Sequence, residues 1–414
     1  MIDDVLAISE CGFKTSMVNA YIKAKTDGKK LQFGADKCKK MHIGKICQQF
    51  KCQNLKIDGW KEIAIINEES GVEEIKDIME GDKEMENREE EKYLGDIISC
   101  DGRNIKNVKA RVAKGKGTVS RIISILDGIP FGKYYYEVGV ILRNSLLISS
   151  MLFNTEAWYN ITQAELELLE TVDILFLRRL LNAPRATPKE MFYLELVCVP
   201  LRELIIKRRI MFLRYILNEK EESMIKRFFQ TQLKNPTKKD WVKTVEEDLK
   251  NLKIELNFDE IKKMSKASMK RLLNEAIVRK ALQRLNIMKG NHSKVMKINH
   301  TNLKMQNYLK ANNSKISQNE SQIIFKLRSR TTKVKMNYKK MFDNLKCNLC
   351  KEENESQNHI LECRKIREMK ENNENNEREI NYENILGENV KKQRAIARCF
   401  EENMRIKEKL EKLV

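Results

Sequence analysis

Five prolines punctuate this chain of 414 residues, Pro130, Pro184, Pro188, Pro200 and Pro236, and none follows the last of them. Proline breaks helix interiors by removing a backbone donor and clashing with the preceding turn. Long proline-free stretches rich in Lys, Glu, Leu and Ile are therefore free to run as helices. The apolar spacing agrees. "GTVSRIISILDG" places Val119, Ile122, Ile123 and Leu126 on one face and stops at Gly128. "TQAE", Thr162 to Glu165, reads as a capping box that opens a stripe of Leu166, Leu169, Val172, Phe176 and Leu180. "TPKE", Thr187 to Glu190, repeats the device, with Pro188 at the first helical position. After Pro200, "LRELIIKRRIMFLRYIL" should bury Leu204, Ile205, Met211, Phe212, Tyr215 and Ile216, with Arg208 and Arg209 flanking that face. The fold class expected is mainly α.

The N-terminal hundred residues read differently. "TSMVNAYIKAKTDGKK" has helical spacing, and "CKKMHIGK" reads as a strand leading into a turn. From Asn67 to Lys92 the chain is acidic and poor in large apolar residues, like a surface loop. "YLGDIIS" then reads as a strand and "CDGRN" as a turn. The opening "MIDDVLAI" has the pattern of a hairpin tip carrying Asp3 and Asp4, two hard oxygen donors suited to Mg²⁺. The same opening also suits a solvated turn or an acidic helix start.

The net charge is +20 and the pI near 9.3, which favours an anionic partner, nucleic acid before a membrane surface. The longest apolar stretch, around "LLISSMLF", falls far short of the ~20 residues a membrane span needs. No signal peptide is evident, so the expected location is intracellular, nucleus or cytoplasm, and most of the ten cysteines read as reduced thiols.

One cysteine group has ligand spacing. In "CNLCKEENESQNHILEC", Cys347, Cys350, His359 and Cys363 follow C-x2-C-x8-H-x3-C. Three thiolates and an imidazole complete a tetrahedral Zn²⁺ shell with no open position, as in a structural site. Chance thiols near a surface histidine are the alternative. Just upstream, "FKLRSRTTKVKMNYKKMFDNLK" interleaves cations with Phe325, Tyr338 and Phe342. Lys333, Lys335, Lys339 and Lys340 would neutralise phosphates and Tyr338 would stack on a base. A second basic run, "GRNIKNVKARVAKGKG", carries Arg103, Lys106, Lys109, Arg111, Lys114 and Lys116 before the first clear helix. Either run also reads as an ordinary solvated face. No phosphate-cradling glycine loop or nucleophile elbow is present, and the glycines of "AKGKGT" lack the strand–loop–helix context a cradle needs.

In order and spacing these pieces resemble the C-terminal part of a non-LTR (LINE-type) retrotransposon reverse transcriptase. "MIDDVLAI" resembles the x-x-D-D motif of the polymerase palm, and "KKLQFGADKCKKMHIGK" the segment after it. "EKYLGDIIS" is similar to the primer-grip hairpin, centred on Tyr93, Leu94 and Gly95. The segments from "LLISSMLFNTEAWYN" to "PLRELIIKRRIMFLRYIL" resemble the helical thumb and post-thumb region, and the Cys/His segment resembles the family's C-terminal knuckle. The resemblance implies a palm remnant over 1–104, a helical thumb and post-thumb region over 105–220, a basic helical region over 221–340, a zinc knuckle over 341–366 and a charged helical tail over 367–414. It implies structural Zn²⁺, Mg²⁺ only where a complete polymerase site is assembled, and RNA or single-stranded DNA as partner. The two-metal mechanism needs carboxylates from two strands, and only the strand of Asp3 and Asp4 matches here. The expectation is an inherited polymerase scaffold that binds nucleic acid without extending it. A non-catalytic nucleic-acid-binding or zinc-stabilised interaction protein is the alternative. "LELVCVP" departs from the family by placing Val197 where a glycine is common.

Overall fold

The computed structural model describes residues 89–129, 134–159, 161–237, 240–291, 301–310, 316–371 and 382–412, with the backbone pairing of four short strands before them. Asp3 and Asp4, the helix expected in "TSMVNAYIKAKTDGKK" and most of the acidic segment lie outside the described residues. The chain divides into two compact units, 1–110 and 111–414, and the protein is mainly helical.

In the first unit, β1 (Lys39–Lys40) pairs in parallel with β4 (Glu86–Asn87), and β2 (Lys56–Ile57) pairs antiparallel with β3 (Lys83–Glu84). A hairpin comes next, β5 (Glu90–Tyr93) and β6 (Asp96–Ser99), in the register Glu90↔Ser99 to Tyr93↔Asp96. "YLGDIIS" is thus not one strand. Leu94 (φ 46°) and Gly95 (φ 89°) form its two-residue turn, the left-handed pair that matches the twist of a tight hairpin. Cys100 to Gly102 turns the chain as expected, with the Gly102 N–H donating to Ser99 O at 3.0 Å.

Helix α1 (Ile105–Asp127) begins about a dozen residues earlier than its apolar stripe suggests. The basic run "KNVKARVAKGKG" is therefore helical, because its lysines keep good helix propensity. Gly115 serves packing: a Cβ there would come within 3.0 Å of both Met151 Cγ and Val172 Cγ1. α2 (Tyr135–Leu142) passes through a π-helical turn (Arg143–Leu147) into α3 (Ile148–Met151). That turn carries Arg143 into the core, where it donates to both carboxylate oxygens of Asp173 at 2.7 and 2.6 Å. α4 (Gln163–Leu180) starts at the expected capping box and buries the entire expected stripe. α5 (Lys189–Leu196) starts one residue later than expected: Pro188 is the N-cap, in extended backbone, and Thr187 caps nothing. α5 ends at Val197 in the left-handed conformation (φ 63°, ψ 41°).

α6 (Leu201–Asn218) packs with α7 (Met224–Lys234), α8 (Trp241–Asn251), α9 (Phe258–Lys263) and α10 (Lys266–Gly290) around one core, from Ile210 and Leu213 through Phe229, Trp241 and Val245 to Leu273 and Ile277. The polar break at "NEKEES" is a turn within this core. The face of α6 also differs from the expected one. Tyr215 is exposed and stacks on Phe212, while Arg209 points inward and donates to Asp248 at 2.6 Å.

The last part comprises α11 (Gln318–Arg328), α12 (Gln357–Glu362), α13 (Arg364–Glu371) and α14 (Val390–Glu411). It is tied to α5 by a buried polar network. The Glu195 carboxylate accepts from Arg328 at 2.9 and 3.0 Å and from the Tyr308 hydroxyl at 2.9 Å, and Arg328 also donates to Ile385 O. No helix among the described residues is long and apolar enough to cross a membrane.

Candidate metal centre

The four ligand-spaced residues converge. The Sγ atoms of Cys347, Cys350 and Cys363 and a ring nitrogen of His359 all lie within 4.8 Å of one another. Cys347, Cys363 and His359 are buried, and Cys350 is partly exposed. Cys350 Sγ lies 3.4 Å from His359 Nε2. A tetrahedral ion with Zn–S of about 2.3 Å and Zn–N of about 2.05 Å would set that separation at about 3.6 Å, so the donors stand at ligand spacing.

Local backbone chemistry builds this arrangement. Cys347 and Cys350 sit on a tight turn in which the Lys351 N–H donates to Cys347 O at 2.9 Å and the Cys347 N–H donates to Glu353 O at 2.8 Å. Lys351 takes a left-handed φ of 62° to close it. Ser356 then caps α12, accepting from the His359 N–H at 3.0 Å, and so fixes His359 in the helix's first turn. Cys363 ends α12, and its carbonyl starts α13 by accepting from Ile366 and Arg367. The other imidazole nitrogen, Nδ1, lies 3.1 Å from Glu353 Oε2. A carboxylate there holds the Nδ1–H tautomer and leaves Nε2 free to ligate.

The electrostatics agree with a site built for a cation. Burial pushes the Cys363 thiol up to about 11. Burial opposes ionisation of Cys350 as well, yet backbone donors at Glu353 and Glu352 and the neighbouring thiols hold its pKa below the usual value. Three adjacent thiolates are stable together only around a positive ion, which deprotonates the thiols it binds. The residues fit a closed, structural Cys₃His site, with no position left open for a reacting water.

The cationic segment beside the centre divides in two. Its first part is core: Phe325 is fully buried against Phe192, and Arg328 is the buried partner of Glu195. The rest is surface. Between Arg330 and Lys351 the sequence holds seven cations, Arg330, Lys333, Lys335, Lys339, Lys340, Lys346 and Lys351, against the single carboxylate of Asp343. All but Lys335 are exposed. Lys335 is tied to the metal turn, its Nζ donating to Lys346 O at 2.8 Å and to Asn348 Oδ1 at 2.7 Å. Tyr338 is half-buried and donates its hydroxyl to Thr331 O at 3.1 Å. Phe342 is the more open ring, with the Lys335 ammonium 5.9 Å from its centroid.

The other basic run does not gather into a patch of that kind. Lys109, Lys114 and Lys116 are exposed along α1, but Arg111 is buried with its guanidinium over the Phe153 ring at 5.0 Å, and Lys106 pairs with Glu90 at 2.9 Å. Tyr93, Leu94 and Gly95 sit at the hairpin turn, with Leu94 largely exposed. Spacing alone finds the four candidate ligands. It does not separate core cations from surface ones, because periodicity in the run is obscured where α11 gives way to irregular backbone. No family model matches this sequence, nor does any curated protein or solved structure.

Proposed function

We propose that the protein binds RNA or single-stranded DNA through the cationic surface beside a structural zinc site, as the C-terminal part of a reverse transcriptase of the non-LTR retrotransposon type. One observation carries the reading. The cations from Arg330 to Lys351 take part in no ion pair among the described residues, although Lys and Arg elsewhere in the molecule repeatedly find carboxylates. A run of unpaired, like-charged side chains has a Coulombic cost that an external polyanion relieves. Lys346 and Lys351, the last two cations of the run, lie on or beside the turn that carries Cys347 and Cys350, and both are exposed. The family assignment rests on the order of the sequence motifs.

Filter-binding titration of the full chain with single-stranded RNA and DNA at several salt concentrations tests it. Affinity should fall steeply with salt, since each neutralised phosphate releases counterions, and should depend little on sequence. Charge reversal at Lys333, Lys339 and Lys340 should flatten the dependence while zinc content stays at one ion per chain. Salt-independent affinity, or no binding at low salt, would leave the Cys₃His site as the support of a protein-interaction surface.

A further inference from the structure

Between Lys340 and the turn that carries Cys347, the chain exposes two large apolar side chains. Met341 is 75 % and Phe342 44 % exposed. The Phe342 backbone is extended after a short 3₁₀ stretch (Lys335–Met341), and its N–H reaches Lys339 O at 3.5 Å. Behind the ring stands Lys335, whose ammonium is fixed by two acceptors on the metal turn. An exposed aromatic face costs solvation unless something covers it, and a ring that already carries a cation on one side offers the other to a planar, electron-rich partner. The flanking Lys339, Lys340 and Lys346 select an anionic partner over an apolar peptide. A partner both planar and anionic is a nucleotide of an unpaired strand.

We infer that Phe342 is a base-stacking position for single-stranded nucleic acid, held by Lys335 to the metal turn and flanked by Lys339, Lys340 and Lys346. The inference rests on the nucleic-acid reading above and adds to it the group that takes the base. Lys335 is a positioning residue, because its ammonium is spent on Lys346 O and Asn348 Oδ1.

The test compares two fluorescent probes of equal length at one low salt concentration, an oligothymidylate and an abasic deoxyribose-phosphate oligomer. Wild-type protein should bind the base-bearing probe more tightly. Phe342→Ala should weaken that binding about 5- to 150-fold, the range expected for losing one base–aromatic stack, and leave the abasic probe unchanged. Phe342→Trp should restore affinity, and its indole fluorescence should be quenched by the oligothymidylate alone. Zinc content equal to wild type in both variants establishes that the site is intact. If wild type binds both probes and Phe342→Ala changes neither, or weakens both equally, the stacking assignment is overturned and the phosphate-binding reading stands. If wild type binds neither probe, both are overturned.

Discussion

Among the described residues, Val197 is the one β-branched side chain held at positive φ. It ends α5 in left-handed backbone, where a β-branched side chain crowds its own carbonyl and glycine does not. The Cys198 N–H still closes the turn on Tyr193 O at 3.1 Å, so the geometry is a proper helix terminus with an ill-suited side chain. The strain is about 1–2 kcal/mol, and a glycine would give part of that back to the entropy of the unfolded chain. Val197→Gly should therefore raise stability by about 0.5–1 kcal/mol, read as a higher denaturant midpoint at unchanged slope. Unchanged or lower stability would mean that the Val197 side chain contributes packing that outweighs its backbone. That the helix ends before Pro200 is legible in the sequence; that Val197 takes left-handed backbone is not, because "LELVCVP" holds no glycine or asparagine to mark such a cap.

Among the elements, a helix start is legible where a capping box and an apolar stripe agree, and is not at Thr187, which caps nothing, or along a charged helix. The Thr162 box forms as expected, with Glu165 accepting from the Thr162 N–H at 2.8 Å, because both halves of the motif and the stripe behind it agree. Two further boxes, Asn257 with Glu260 and Ser317 with Glu320, form where "NFDE" and "SQNE" carry the same signal with a less regular apolar stripe behind it. α1 shows the limit in the other direction, since a helix rich in lysine has little apolar contrast in its first half. The Ser317 box also does more than cap. Glu320 accepts from the Ser317 N–H at 2.7 Å and meets Arg394 and Arg398 of α14. Burial alone would raise its pKa, but the Ser317 N–H and the two guanidiniums outweigh burial and hold it below the ordinary carboxylate value. A depressed carboxylate contributes stability that is present above its unfolded pKa and lost as pH falls through the lower folded value. Melting curves taken from about pH 5 down to about pH 2 should show an acid-side loss of stability that Glu320→Gln reduces. An identical acid limb in the variant would remove Glu320 from the account.

For the whole second unit, the Cys₃His cluster and the last helix hold each other. α14 covers the metal turn through Lys407, whose ammonium reaches Glu355 at 2.8 Å with both groups buried. Asn403 donates to Ile360 O at 2.7 Å, Asn348 donates to Glu411 at 2.7 Å, and Ile406 packs on the cluster of Cys347, Cys363 and Ile366. The groups α14 grips are ordered by the ligand turn, which has little apolar core of its own. Structural Zn²⁺ sites supply on the order of 10 kcal/mol of folding energy. Removing the ion with a chelator, or substituting Cys350→Ser or His359→Ala, should raise amide exchange across 345–371 and 390–411 together. Exchange in α6 to α10, which have a separate core, should not change. Exchange rising in the turn alone would uncouple α14 from the metal.

The polar network around Glu195 has a further consequence, for the order in which the molecule assembles. Glu195 takes partners 113 and 133 residues further along the chain, and Tyr136 meets Ser321 across 185. Helical proteins usually fold fast because their contacts are local, and closing long loops before any contact rewards it slows the search. Here a buried carboxylate on an early helix stays without its guanidinium until α11 has formed and docked. Contacts of this sequence separation favour slower folding than the helix content alone suggests, because the loops between the partners must close before the buried carboxylate gains its guanidinium.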